Sequence, residues 1–211
     1  MNSPANPQAK RHIGQILIDQ GILTEDQLRI ALLEQTKSHV PVGRLLVQLG
    51  FVSEATLRDA LLGLAALDVR SGRYETAEAA YLRLLQADPS DAHAQAGLIA
   101  LRASRLDPLA TESRVRSLLA ADPGANVLHF TLGNQLAQQS RWAEAQQEYF
   151  KAFAAEPDNA DFAFNLAVSL DHLRQSKLAL EYYRRAIVLA ENRAASFDLA
   201  AARSRAAKLA N

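Results

Sequence analysis

Three short acidic steps, ADPSD around Pro89, ADPGA around Pro123 and AEPDN around Pro157, recur 34 residues apart. Regularity of that kind limits the fold more than composition does. A chain that repeats every few tens of residues builds one supersecondary unit per period and buries its apolar faces by stacking neighbours. Each proline stops the helix before it, because it lacks an N–H and its ring collides with the preceding turn. The adjoining Ser90, Asp91, Asn126 and Asp158 can cap the helix that follows.

Two helical stretches fit between successive prolines. In residues 126–159, Leu128, Leu132 and Leu136 step by four along one face, and Trp142, Ala145, Tyr149, Ala152 and Phe153 mark a second face. The small residues Gly133 and Ala145 fall where two antiparallel helices would cross closely. Residues 58–91 repeat the pattern with Leu64, Ala65, Gly72, Tyr74, Ala77, Tyr81, Leu84 and Pro89. Residues 160–193 do so with Leu166, Ala167, Leu170, Ala179, Tyr183 and Ala186, with Glu191 at the proline position. Residues 92–125 diverge: Leu98, Leu118 and Pro123 fit, whereas Thr111 and Val115 replace the small and aromatic markers.

This pattern resembles the tetratricopeptide repeat. The resemblance implies an all-α, right-handed solenoid of four units, 58–91, 92–125, 126–159 and 160–193, with 194–211 as a capping helix. It also implies a concave groove for a protein or peptide partner. Asn134 and Asn165 occupy the ninth and sixth positions of successive units, where peptide-clamping relatives hold a ligand backbone. An asparagine side chain offers both a donor and an acceptor for that work. Phe130, Phe164 and Phe162 are candidates to line the same groove, or else are core. Phe130, Ala195 and Leu199 stand where the clamp's cations belong, so no terminal-carboxylate clamp is expected.

The first quarter of the chain has a different period. IGQILIDQG at 13–21 returns as VGRLLVQLG at 42–50, 29 residues on. Gly21 and Gly50 sit where a helix C-terminus takes a left-handed residue, and Thr24 with Gln27 has capping-box spacing, echoed by Ser53. Each copy therefore reads as a helix–turn–helix hairpin, with residues 1–10 as a flexible tail. One uninterrupted helix, from about Glu54 to about Arg70, should serve both periods, with Leu64 as a core leucine of the solenoid.

These duplicated hairpins, 11–64, resemble the MshEN-like domain of the ATPases that drive type IV pilus assembly and type II secretion. The first copy runs from His12 to Gln35 through Ile13, Gly14, Leu17, Gly21 and Leu28. After the five-residue spacer Thr36–Val40, the second runs from Pro41 to Leu64 through Val42, Gly43, Leu46 and Gly50. Full-pattern members bind cyclic di-GMP, which makes His12, Ile13, Gly14, Leu17, Gly21, Leu28, Gln35, Val42, Gly43 and Leu46 the residues the resemblance would assign to that ligand, with Arg11 and Arg44 as nearby cations that could stand in for the leading arginines. The leading arginines are His12 and Pro41 here, and the second closing glutamine is Leu64. A phosphodiester needs cationic or N–H donors, so the departures favour a retained protein-docking module. The C-terminal repeats are similar to those of MshN-like pilus biogenesis proteins.

Composition narrows the remaining classes. The 23 basic and 23 acidic residues cancel, so nothing calls for a nucleic-acid polymer or an anionic membrane. No cysteine is available for a disulfide, thiol nucleophile or thiolate metal site. The five histidines are scattered without i, i+4 pairing, and neither a phosphate loop nor a catalytic carboxylate pair is legible. No apolar run suits a signal or a membrane span, so a cytoplasmic location is expected. The expectation is a non-enzymatic adaptor in type IV pilus (MSHA-like) or type II secretion assembly. The alternative is a cyclic di-GMP receptor that regulates such a system.

Overall fold

The computed structural model describes residues 7–103, 107–192 and 195–210, with the side chains of 7–12 and 192 outside that description. All regular structure among these residues is helical. The chain divides into two compact units, Met1–Leu101 and Arg102–Asn211.

In the first unit, α1 (Pro7–Asp19), α2 (Glu25–Ser38), α3 (Val42–Gln48) and α4 (Glu54–Arg70) form the two expected hairpins, followed by α5 (Tyr74–Ala87) and α6 (Ala92–Arg102). Helix α1 begins at Pro7, so four residues read as tail are helical; proline suits a first turn, where its missing N–H has no intrahelical partner anyway. Thr24 and Gln27 form the reciprocal capping box that starts α2, and the Ser53 hydroxyl accepts from the Thr56 N–H at the start of α4.

The 29-residue echo is visible in atomic detail. Gly21 (φ +69°) and Gly50 (φ +71°) end α1 and α3 in the left-handed region. The residue after each, Ile22 or Phe51, returns its N–H to Leu17 or Leu46 at 2.9 Å, which closes the helix C-terminus. Gly14 and Gly43 admit a leucine from the following helix. A Cβ on Gly14 would lie 2.6 Å from Leu28, and one on Gly43 3.0 Å from Leu57.

Helix α4 spans the predicted interval and feeds two cores. Ile13, Leu17, Leu23, Val42, Leu45, Leu46, Leu57 and Leu64 close the hairpin core. Ala65, Ala77, Tyr81, Leu84 and Ala94 make the next one, and Leu61 packs against both. Leu64 thus belongs to the hairpins and not, as the repeat pattern suggested, to the solenoid. Its neighbour Ala65, about 100° round the helix, is the residue that crosses over.

The second unit holds α7 (Pro108–Ala121), α8 (Asn126–Gln138), α9 (Trp142–Ala155), α10 (Ala160–His172), α11 (Ser176–Asn192) and α12 (Leu199–Ala210). The 34-residue period recurs in the turns after α4, α8 and α10, where Gly72, Ser140 and Arg174 take φ of +73°, +61° and +60°. The matching position of the divergent copy, residue 106, lies outside the described residues. Gly133 does lie at a close crossing, since a Cβ there would meet the Tyr149 ring at 2.6 Å. Asp91 caps α6 through the Ala94 N–H, and Asn159 caps α10 through those of Asp161 and Phe162. Asn126 instead reaches Glu156 at 2.9 Å and opens α8 from inside it.

Candidate functional site

Asn134 on α8 and Asn165 on α10 are both half-buried, each using half of its amide internally. Asn134 Oδ1 accepts from the Tyr149 hydroxyl at 2.8 Å, and Asn165 Nδ2 donates to the Asp161 carbonyl at 2.9 Å. Among the described residues this leaves the NH₂ of Asn134 and the carbonyl of Asn165 unengaged. Asn134 thus retains a donor and Asn165 an acceptor.

The aromatic candidates are more committed. Phe130 lies between Phe162 (4.8 Å between centroids) and Tyr149 (5.8 Å). Phe164 is stacked by Phe197 from the C-terminal segment, 4.2 Å away with rings 3° apart. Phe162 is core. Phe130 and Phe164 are therefore half-buried, and Phe164 is capped by Phe197.

Charged clusters brace these helices. Glu112 on α7, buried, accepts from Arg116 at 2.8 Å, from Arg141 at 2.6 Å and from Gln139 at 3.3 Å. Burial alone would raise the Glu112 carboxyl, but those three donors outweigh it and hold the group below its usual range. Arg141 also forks onto both oxygens of Glu144, at 2.7 and 2.6 Å. His129 Nε2 faces the Pro123 carbonyl at 3.0 Å, and its Nδ1 faces Glu148 at 2.6 Å. Burial works against the charged Glu148 too, yet Lys151 and His129 draw its carboxyl down.

Arg205 on α12 grips both oxygens of Asp171 on α10, at 2.5 and 2.6 Å, which lowers the carboxyl. Beside this pair, a cleft of about 400 Å³ is lined by Val168, His172, Arg174 and Tyr183. Burial, then the Asp171 charge, pushes the Tyr183 phenol up to about 12. Trp142 stacks on His172 at 3.6 Å between centroids. These pairings join residues about 30 positions apart, and no local spacing announces them.

In the hairpins, the residues assigned to cyclic di-GMP mostly serve packing. Ile13, Leu17, Val42 and Leu46 are buried in the core, and Leu28 fills the space left by Gly14. Gly21 is a helix terminator, and Gln35 Nε2 donates to the Val40 carbonyl at 2.9 Å. Arg44 is exposed. The side chains of Arg11 and His12 lie outside the described residues. Among the described residues, no three His, Asp or Glu side chains are grouped to hold a metal ion, and no helix is long and apolar enough to cross a membrane.

The comparisons with known proteins agree with this architecture. Residues 130–198, which include both asparagines, match the tetratricopeptide repeat family model, so this stretch carries tetratricopeptide repeats. Among individual proteins, the chain is 29% identical over 134 residues to the type IV pilus assembly protein PilF of Pseudomonas aeruginosa. That alignment covers 62% of this chain and 52% of the relative, so the chain spans about half the length of the curated protein it matches. A structure from the functional characterization of Pseudomonas aeruginosa pilF superposes with TM-score 0.56 at 25% identity, covering 72% of this chain and 67% of that one. A thermophilic tetratricopeptide repeat protein of Thermus thermophilus superposes with the same score at 19% identity, over 88% and 98% of the two chains. It speaks for the fold alone.

Proposed function

We propose that this protein is a docking adaptor in type IV pilus assembly, holding an extended segment of a pilus component against α8 and α10. The observation that carries the reading is the half-used amide pair of Asn134 and Asn165, set on a stretch that matches the tetratricopeptide model. No chemistry is required of the site: it offers hydrogen-bonding groups and aromatic edges to a backbone. The pilus setting is supported by what the relative is called, and it is preferred to type II secretion for that reason. The hairpins then serve as an MshEN-like protein-docking module.

The test replaces both asparagines. In a host lacking the gene, the Asn134→Ala/Asn165→Ala chain is expected to fold normally, to lose capture of the pilus component held by wild type, and to leave surface pili reduced in electron micrographs. An unchanged set of captured pilus proteins and full piliation would remove the assignment.

Cyclic di-GMP binding by the hairpins is the weaker reading, because most of the motif residues described are consumed in packing and helix termination and only Arg44 among them offers an exposed cation. Calorimetry with about 100 μM cyclic di-GMP is expected to show no heat of binding. Heat that vanishes in Arg44→Ala would support the receptor instead.

A further inference from the structure

The internal duplication reveals what the first hairpin lacks. A groove of about 400 Å³ runs beside α2, lined by Ile18, Leu28, Arg29, Leu32, Leu33 and Thr36 among others. Moved 29 residues along, those positions are Val47, Leu57, Arg58, Leu61, Leu62 and Ala65. In the second copy that face is covered. Ala65 is fully buried, and Leu61 and Leu62 pack against the cluster it forms with Ala77, Tyr81 and Leu84 of α5 and Ala94 of α6. In the first copy Leu32 and Leu33 stand 38% and 56% exposed. One sequence motif thus appears once with a helix lying on it and once bare.

Charge repeats the asymmetry. Arg58 reaches beyond its neighbour Asp59 to Asp91, 3.9 Å away and four residues past the end of α5. Its counterpart Arg29 is tied to the exposed Asp26 of its own helix, at 3.1 Å. The groove therefore has an apolar floor rimmed by Glu25 and Arg29. Arg29 stands where an acidic residue follows the covering helix in the second copy, and only a solvent-exposed pair with Asp26 holds it, which a partner's acid can replace at little cost.

We propose that the α2 groove is a second docking surface, and that its occupant is an amphipathic helix from a partner protein. The partner helix carries a small, an aromatic and an aliphatic residue at the spacing of Ala77, Tyr81 and Leu84, with an acidic residue shortly after its end. The mode is helix-in-groove, read through anchors at i, i+4 and i+7. The site lies in the first unit and does not depend on the asparagine pair, so either can fail without the other.

The probe is the chain's own covering segment, a labelled synthetic peptide of residues 74–91, titrated with full-length protein and followed by fluorescence anisotropy. Saturable binding is expected in the range of about 10 μM. Leu32→Asp/Leu33→Asp should weaken it at least about 30-fold, and Arg29→Glu about 3- to 10-fold with less salt dependence than wild type. Leu49→Asp, an exposed leucine not among the groove's lining residues, should leave it unchanged. Because these leucines are exposed, the variants should keep the wild-type melting curve, which circular dichroism checks.

Absence of binding at about 1 mM peptide would overturn the proposal. So would binding that the leucine double variant does not alter, since the peptide would then be displacing α5 from α4. Concentration-dependent dimerisation of the wild type, lost in the double variant, would assign the groove to a second copy and overturn it too.

Discussion

Ser140 and Arg174 sit at φ near +60°, a conformation that costs a residue with a Cβ about 1 kcal/mol, while Gly72 occupies the equivalent turn without that cost. Ser140→Gly and Arg174→Gly should each raise stability by about 0.5–1 kcal/mol, and Gly72→Ala should lower it by about 1 kcal/mol, all readable in urea melts. The paired glycines of the hairpins behave otherwise, because there the limit is space. Gly14→Ala should cost about 1–3 kcal/mol and Gly43→Ala less, in the order of their 2.6 and 3.0 Å approaches to Leu28 and Leu57. Equal effects would mean that the leucines simply move aside. The turn role of Gly21 and Gly50 was legible from their place at a helix end, whereas the packing role of Gly14 and Gly43 showed in the sequence only as an echo and needed their neighbours Leu28 and Leu57 to explain it.

At the scale of elements, the two periods foretold the helices because each is written in local spacing: stops at proline, caps, and apolar residues at helical intervals. The divergent copy folds into α6 and α7 despite its lost markers. Val115 and Thr111 are buried where an aromatic and a small residue were expected, so they retain the buried face if not the volume. Side-chain ties between helices were not legible, since Arg141 to Glu112 and Trp142 to His172 depend on where two backbones arrive. Nor was the allotment of Leu64, which turns on one step of helical phase. A Cβ added to Gly63 in α4 would meet nothing within 4 Å, so Gly63→Ala should stabilise by about 0.5–1 kcal/mol, whereas Gly63→Pro should break the helix and cost about 3 kcal/mol or more. Thermal denaturation of the two variants separates the outcomes.

For the whole molecule, the described carboxylates held below their usual range concentrate in one unit, with Asp88, lowered by its hydrogen bonds from Ser90, the one such group in 1–101. Glu112, Glu144, Glu148 and Asp171 all lie within 102–211. A carboxyl whose folded value is depressed contributes stability above its unfolded value, 4.5 for Glu and 3.8 for Asp, and that contribution is lost as pH falls through the folded value. Calorimetric scans from pH 7 down to about 3 should therefore shift the melting of 102–211 to lower temperature, by more than that of 1–101. A uniform shift of both units would contradict this distribution.

The division of labour along α4 also governs how such a chain can change over generations. Leu57 and Leu64 anchor the hairpin core while Ala65 anchors the next, so adding or removing one residue between Leu57 and Leu64 would turn Leu64 about 100° out of the hairpin core, whereas Ala65 would keep its phase with α5. Lengthening at this joint is tolerable only in near-whole turns, seven residues being the smallest good fit to two. Homologues with a longer or shorter α4 should accordingly differ by such steps, and a single-residue insertion made there should leave only one of the two cores intact.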